Sequence, residues 1–203
     1  NGTRGIFAGS SEISPGNVIR YITIDSLGDA LDFGDLFQGS RSGLGGAAST
    51  TRGVFAGGGA SDVEYKHIDF ITIATLGNAI DFGNLTANRG SVGQGFASRT
   101  RGFIAGGYNS GYHDDIQFVT ISSTGNATFF GNMLANKQSL GALSNETRGI
   151  INSGSDAGAA INVIMYITMA ATGNAIDFGD LSVARYSAKG VASSTRGVSI
   201  AGY

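Results

Sequence analysis

One short phrase recurs along the chain. It reads TRGIFAGS at residues 3–10, TRGVFAGG at 51–58, TRGFIAGG at 100–107, TRGIINSG at 147–154 and TRGVSIAG at 195–202. Its arginines, Arg4, Arg52, Arg101, Arg148 and Arg196, are spaced by 48, 49, 47 and 48 residues. Self-similarity at this period points to a propeller or a solenoid, in which each unit buries its apolar faces only by packing on its neighbours.

Other markers keep the same step. A β-branched segment reads YITID at 21–25, FITIA at 70–74, FVTIS at 118–122 and YITMA at 166–170. A later segment reads LDFGDL at 31–36, IDFGNL at 80–85, TFFGNM at 128–133 and IDFGDL at 176–181. Between the two stands Gly28-Asp29, Gly77-Asn78, Gly125-Asn126 or Gly173-Asn174, a pairing that suits a tight hairpin turn. Each unit therefore reads as four short strands. Strand A is the small-residue run, as in residues 43–49 and 91–98; strand B is the GVFAGG run, strand C the ITI segment and strand D the DFG segment. The 34 glycines, set against a single proline, fall at regular intervals among β-branched and aromatic residues, which marks turns between strands. No stretch has a helical period.

The expected fold is all-β, a propeller of four four-stranded repeats of about 48 residues plus one extra strand. It forms one domain over residues 1–203, with repeats near 3–50, 51–99, 100–146 and 147–194 and a surplus strand at 195–203. A ring could close if strand A at 187–193 completed the sheet begun by the N-terminal B, C and D strands. The last phrase could instead replace the N-terminal B strand, pair with another chain, or belong to a fifth unit.

These residues resemble the Kelch-type β-propeller family. Gly57-Gly58 and Gly106-Gly107 match the family's double glycine, Tyr21 and Tyr166 its third-strand tyrosine, and Phe33 with Leu36 its last-strand motif. The chain departs from the family in having no Trp, and in reducing the double glycine to Gly9-Ser10 and Ser153-Gly154. The wording of the repeat is also similar to that of repeat proteins of marine bacteriophages, of virion or tail-fibre type. That resemblance implies an extracellular or virion-associated protein.

Net charge of −2 with only 14% charged residues lacks the basic field that nucleic-acid binding requires. No apolar run reaches the ~18 residues of a membrane span. The chain contains no cysteine, so disulfides and thiolate chemistry are excluded. The recurrent DFG is a structural aromatic and not a kinase magnesium site, because no catalytic loop or lysine strand accompanies it. The TRG arginines shape and solubilise the turn before strand B, or pack their stems over a neighbouring unit; a ring of anion contacts is the alternative. A second basic series, Arg41, Arg89, Lys137 and Arg185, keeps a step of 48 in the connection from strand D to strand A. It suits packing between units, or a ring of cations around the axis that could hold an anion or sugar acid.

The B–C loops agree in neither length nor composition, and successive antiparallel connections alternate ends, so these loops share a face with the second basic series. They carry Asp62, Glu64, Tyr65, His67, Tyr108, Tyr112, His113, Asp114 and Asp115. Binding residues often sit on loops held by a rigid scaffold, which makes this face, with Arg41, Arg89, Lys137 and Arg185, the candidate ligand-binding site. No serine is matched to a His and an orienting acid, and adjacent acids such as Asp114 and Asp115 rarely converge on one ion. The expectation is a non-enzymatic binding module without cofactor or metal, recognising a cell-surface glycan or protein. A structural or decoration module, self-associating through its surplus strand, is the other reading.

Overall fold

The structure is a computed structural model and describes residues 2–11 and 15–203. Asn1 and residues 12–14, the latter inside the first B–C loop, lie outside it. The described residues form strands and connections only.

Unit 1 is a three-stranded antiparallel sheet of β1 (Arg4–Ala8), β2 (Val18–Thr23) and β3 (Leu31–Asp35). Unit 2 has β4 (Gly45–Ala48), β5 (Arg52–Ala56), a small hairpin of β6 (Gly59–Ala60) and β7 (Val63–Glu64), then β8 (His67–Thr72) and β9 (Ile80–Asn84). Unit 3 has β10 (Phe96–Ala97), β11 (Arg101–Ala105), β12 (Asp115–Thr120) and β13 (Thr128–Asn132). Unit 4 has β14 (Gly141–Ser144), β15 (Arg148–Asn152), the short β16 (Ser155–Asp156), β17 (Ala159–Thr168) and β18 (Ile176–Arg185). Unit 5 is the pair β19 (Lys189–Ala192) and β20 (Gly197–Ile200). Units 2, 3 and 4 are each a meander in the order A, B, C, D.

The core is divided among the junctions between units. Phe55 and Ile71 of unit 2 pack on Ile19, Phe33 and Leu36 of unit 1. Ile104, Val119 and Ile121 of unit 3 pack on Val54, Ile68, Phe82 and Leu85 of unit 2. Ile151, Ile167 and Met169 of unit 4 pack on Phe103, Ile116, Phe130 and Met133 of unit 3. Each complete unit is thus apolar on both faces, as quasi-one-dimensional stacking demands.

The repeated motifs build these junctions. In each of the four units that have C and D strands the C–D register shifts at the same place, between Ile19 and Arg20, Ile68 and Asp69, Ile116 and Gln117, and Ile164 and Met165. The bulge falls on the DFG segment and leaves its Phe outside the pairing, facing the next unit. The glycine that follows is needed twice over. Gly34 and Gly83 both have φ +145°, and a Cβ there would collide with the backbone of Gly77 or Gly125 in the next unit. The Gly-Asn pair is therefore not the tight hairpin turn expected of it: it lies in a longer connection, residues 73–79 in unit 2, that clasps the preceding unit. The Gly77 and Ala79 amides donate to the carbonyls of Phe33 and Asp35, and the Asp35 amide donates to Asn78 Oδ1. Gly125, Asn126 and Ala127 repeat this on β9, and Gly173, Asn174 and Ala175 on β13.

The TRG arginines also serve the junctions. Arg4, Arg52, Arg101 and Arg148 stack over Tyr21, Phe70, Phe118 and Tyr166 of their own C strands, 4.5–4.8 Å from the ring centroids. Arg4, Arg52 and Arg101 then donate to the carbonyls of Ile73, Ile121 and Met169 in the following unit.

Ring closure through strand A at 187–193 does not occur. β19 pairs with β20, the surplus phrase, while β1–β3 remain a three-stranded sheet. The inner edge is crowded all the same: Gln94 Nε2 donates to the Gly190 carbonyl at 2.8 Å and the Gly190 amide returns a bond to Gln94 Oε1 at 2.7 Å, tying unit 3 to unit 5.

Candidate functional site

The B–C loops and the D–A connections meet on one face, as expected from the alternation of ends. Ser42 and Gly59, Gly90 and Tyr108, and Gln138 and Ser155 form isolated bridges between them. Between the loops lies a groove of about 520 Å³. Its walls are Ser10, Ser11 and Gly16 from unit 1, Ser40, Ser42 and Gly43 from the first D–A connection, residues 59–64 from unit 2, and Gly90 and Ser91 from the second.

This wall is made of hydroxyls, exposed backbone and two carboxylates, Asp62 and Glu64, with Val63 as its apolar patch. Ser61 and Asp62 hold left-handed backbone conformations at the tip of the β6–β7 hairpin, with φ of 48° and 65°. Beyond Gly90, Tyr108 and Tyr112 pack edge to face at 5.2 Å, and Tyr108 exchanges both backbone hydrogen bonds with Gly90. Tyr65 is half-buried, its ring 6.1 Å from that of His67, and its carbonyl accepts from the Arg89 amide. Asp62, Glu64, Tyr65, Tyr108 and Tyr112 are thus gathered along one surface.

The second basic series does not face this groove. Arg41, Arg89 and Lys137 are 0, 1 and 2% exposed, so their place in the candidate binding site is corrected: of the two readings of this series, packing inside the molecule and a ring of cations, they follow the first. Arg41 donates to the carbonyls of Gly57 and His67 and to Asp69 Oδ2 at 2.5 Å. Arg89 donates to Gly106 and grips Asp115 with both terminal nitrogens, at 3.1 and 3.0 Å. Arg185, half-buried, repeats the backbone contact by donating to the carbonyl of Ala201. The common target, Gly57, Gly106 or Ala201, is the left-handed residue at the end of strand B. These cations therefore fasten that turn to the D–A connection.

His113 joins the Arg89–Asp115 cluster, and His67 meets Arg41 through its backbone carbonyl. His113 Nδ1 stands 3.6 Å from Asp115 Oδ1. Burial, and then the Arg89 charge, lower the His113 pKa below the ordinary imidazole value against the opposing pull of Asp115 and Asp114. Burial pushes the Asp115 carboxyl up, but Arg89, Gln117 and His113 together outweigh it and hold it below the usual carboxylate range. Gln117 completes the cluster, donating to Asp115 Oδ2 and Thr86 Oγ1. Among the described residues no group of three His, Asp or Glu side chains is placed to hold a metal ion.

Asp69 and Gln117, missed in reading the sequence, occupy one repeat position in strand C, where unit 1 has Arg20 and unit 4 has Met165. Variation at that position was the available signal that the basic series had partners inside the units. The serines of the D–A connections were also missed. Gly43, Ser91, Ser139 and Ser187 stand 48 residues apart with φ of 67°, 46°, 53° and 58°, and backbone bonds join successive members from Ser91 to Ser187.

The chain matches no known protein-family model, and no curated protein matches it. No helix among the described residues is long and apolar enough to cross a membrane.

Proposed function

We propose that this chain is a non-enzymatic recognition module of Kelch-like propeller architecture that binds a cell-surface glycan, as part of a phage virion or another extracellular assembly. Repeated antiparallel sheets in A, B, C, D order, packed face to face, support the architecture. The groove on the loop face carries the functional reading. Sugars need closely spaced hydrogen-bonding groups together with a flat apolar surface. Ser10, Ser42, Asp62, Glu64 and Ser91 supply the first, and the Tyr108–Tyr112 pair beyond Gly90 supplies the second. The titratable cluster of Arg89, His113 and Asp115 is engaged in holding the loops, which leaves it a scaffold role.

The test is binding to a broad glycan panel by the wild-type chain and by an Asp62→Asn, Glu64→Gln double variant. Both residues are on the groove wall and outside the core, so the variant keeps its fold. Retention of a glycan by the wild type and its loss by at least ~10-fold in the variant supports the reading, since two charge-assisted hydrogen bonds account for that much. Failure of the wild type to hold any glycan overturns it.

A further inference from the structure

The two ends of the array carry complementary halves of the junction that the interior repeats three times. At interior junctions the leading face of a unit presents Phe55, Ile104 or Ile151 from strand B, which are 8, 2 and 0% exposed. It also presents Ile73, Ile121 or Met169 after strand C, at 2, 1 and 2%. The same positions in unit 1 are Phe7 and Ile24, and they are 57 and 55% exposed. The trailing face presents Phe33, Phe82 or Phe130, each at most 3% exposed, whereas the equivalent Phe178 of unit 4 is 55% exposed. Unit 5 covers only the inner part of unit 4, through β19 and β20 against β14.

We infer that these faces bind one another between two copies of this chain, head to tail, in the register of the interior junctions. The surface that fits Phe178 is the one its counterparts already contact, and a second copy carries it in Phe7, Ile22 and Ile24. The backbone groups match as well. Gly28 and Ala30 stand where Gly77 and Ala79 donate in unit 2, and Phe178 and Asp180 stand where Phe33 and Asp35 accept. β1 and β20 hold the same place in their units, so the docked junction keeps one of them. Among the described residues β20 pairs with β19 alone; it is the strand displaced, leaving β19 to pair with the edge strand β1 of the next copy. Such an interface is heterologous and propagates to a ring or a fibre.

One feature separates this junction from the interior ones. The clasp is Asp35 with Asn78, Asn84 with Asn126, and Asn132 with Asn174 inside the chain, but Asp180 with Asp29 between copies. In every interior clasp the donor is a backbone amide, so Asp29 keeps the acceptor oxygen that the junction needs, and its charge strengthens the bond from the Asp180 amide.

Sedimentation over a wide concentration range tests the proposal, independently of the groove. Phe7→Asp and Phe178→Asp, both at sites more than half exposed, each leave the fold intact by circular dichroism and weaken association by at least ~10-fold. Mixed together they form a dimer that grows no further, because one variant keeps an intact tail and the other an intact head. Asp29→Ala, which removes the acceptor of the Asp180 amide, weakens association several-fold. A wild type that stays monomeric at every concentration overturns the proposal, as does a mixture that associates no better than its components.

Discussion

Lys137 is the member of the buried basic series that has lost its partner. Arg41 has Asp69 and Arg89 has Asp115, two strand-C positions whose counterparts in unit 4 are Met165 and Val163, and Lys137 Nζ is buried with no hydrogen-bond acceptor among the described residues. Burial lowers its pKa from 10.5 to about 8, against the weaker pull of Asp156. The sign follows from linkage. Between about pH 8 and 10.5 the unfolded chain binds a proton that the folded chain has shed, so stability rises with pH across that window and is lower by the full penalty below it. Lys137→Met removes the penalty and stabilises the protein at pH 7 by ~1–3 kcal/mol, with the gain shrinking as the pH approaches 10.5. Urea unfolding of both proteins from pH 7 to 10.5 measures it; a gap independent of pH counts against a buried, charged Lys137. The left-handed residue that ends strand B gives a second pair of outcomes. Gly106→Ala places a Cβ against the Lys137 carbonyl at φ +60° and costs at least ~2 kcal/mol, while Ala201→Gly relieves φ +58° and gains ~0.5–1 kcal/mol. Thermal unfolding of the two variants shows shifts of opposite sign.

At the scale of the element, the junction clasp explains why two short motifs recur together. The DFG bulge turns a Phe into the next unit, and its glycine admits the Gly-Asn backbone of that unit. Asn126→Ala removes the side-chain acceptor of the Asn84 amide and costs ~1 kcal/mol. Gly83→Ala meets both the Gly125 carbonyl and a φ of +145° and costs ~2 kcal/mol or more. Because both act on one contact, the double variant loses less than the sum, which denaturant titration of the double-mutant cycle detects. The strands themselves were legible in the sequence because period-two apolar runs and a 48-residue step are local and repetitive signals. The expected A, B, C and D strands are all present, including the B strand at the end. The clasp was not legible, because a Gly-Asn pair carries the same local signature whether it closes a hairpin or reaches a neighbour. Half of the candidate site followed from the sequence for the same kind of reason. Loops that differ between repeats stand out, so Asp62, Glu64 and Tyr108 could be named from the sequence, and they lie on the groove wall or beside it. For the regular basic residues on the same connections, packing between units and a ring of cations both stayed open, because their spacing alone does not show that Arg41 turns inward to Asp69.

For the whole molecule, a stack of units that touch chiefly their neighbours has a stability that varies along its length. Units 2 and 3 are covered on both faces by the junction clusters, whereas unit 1 is covered on its trailing face alone and unit 5 has only two strands. Amide exchange should therefore be slowest in β5, β8, β11 and β12, faster in β2, and fastest in β20, which among the described residues pairs with β19 alone. Gln94 modifies this gradient, since its paired bonds to Gly190 tie β19 to unit 3 across the crowded inner edge. Gln94→Ala removes both bonds and leaves the Gly190 amide without its acceptor, so exchange in β19 and β20 accelerates by ~10-fold while β5 and β8 are unchanged. Hydrogen exchange followed by mass spectrometry resolves these segments. If β5 and β8 accelerate as much as β19, the units unfold together and the chain is a single cooperative body; if only the C-terminal strands respond, stability is set junction by junction.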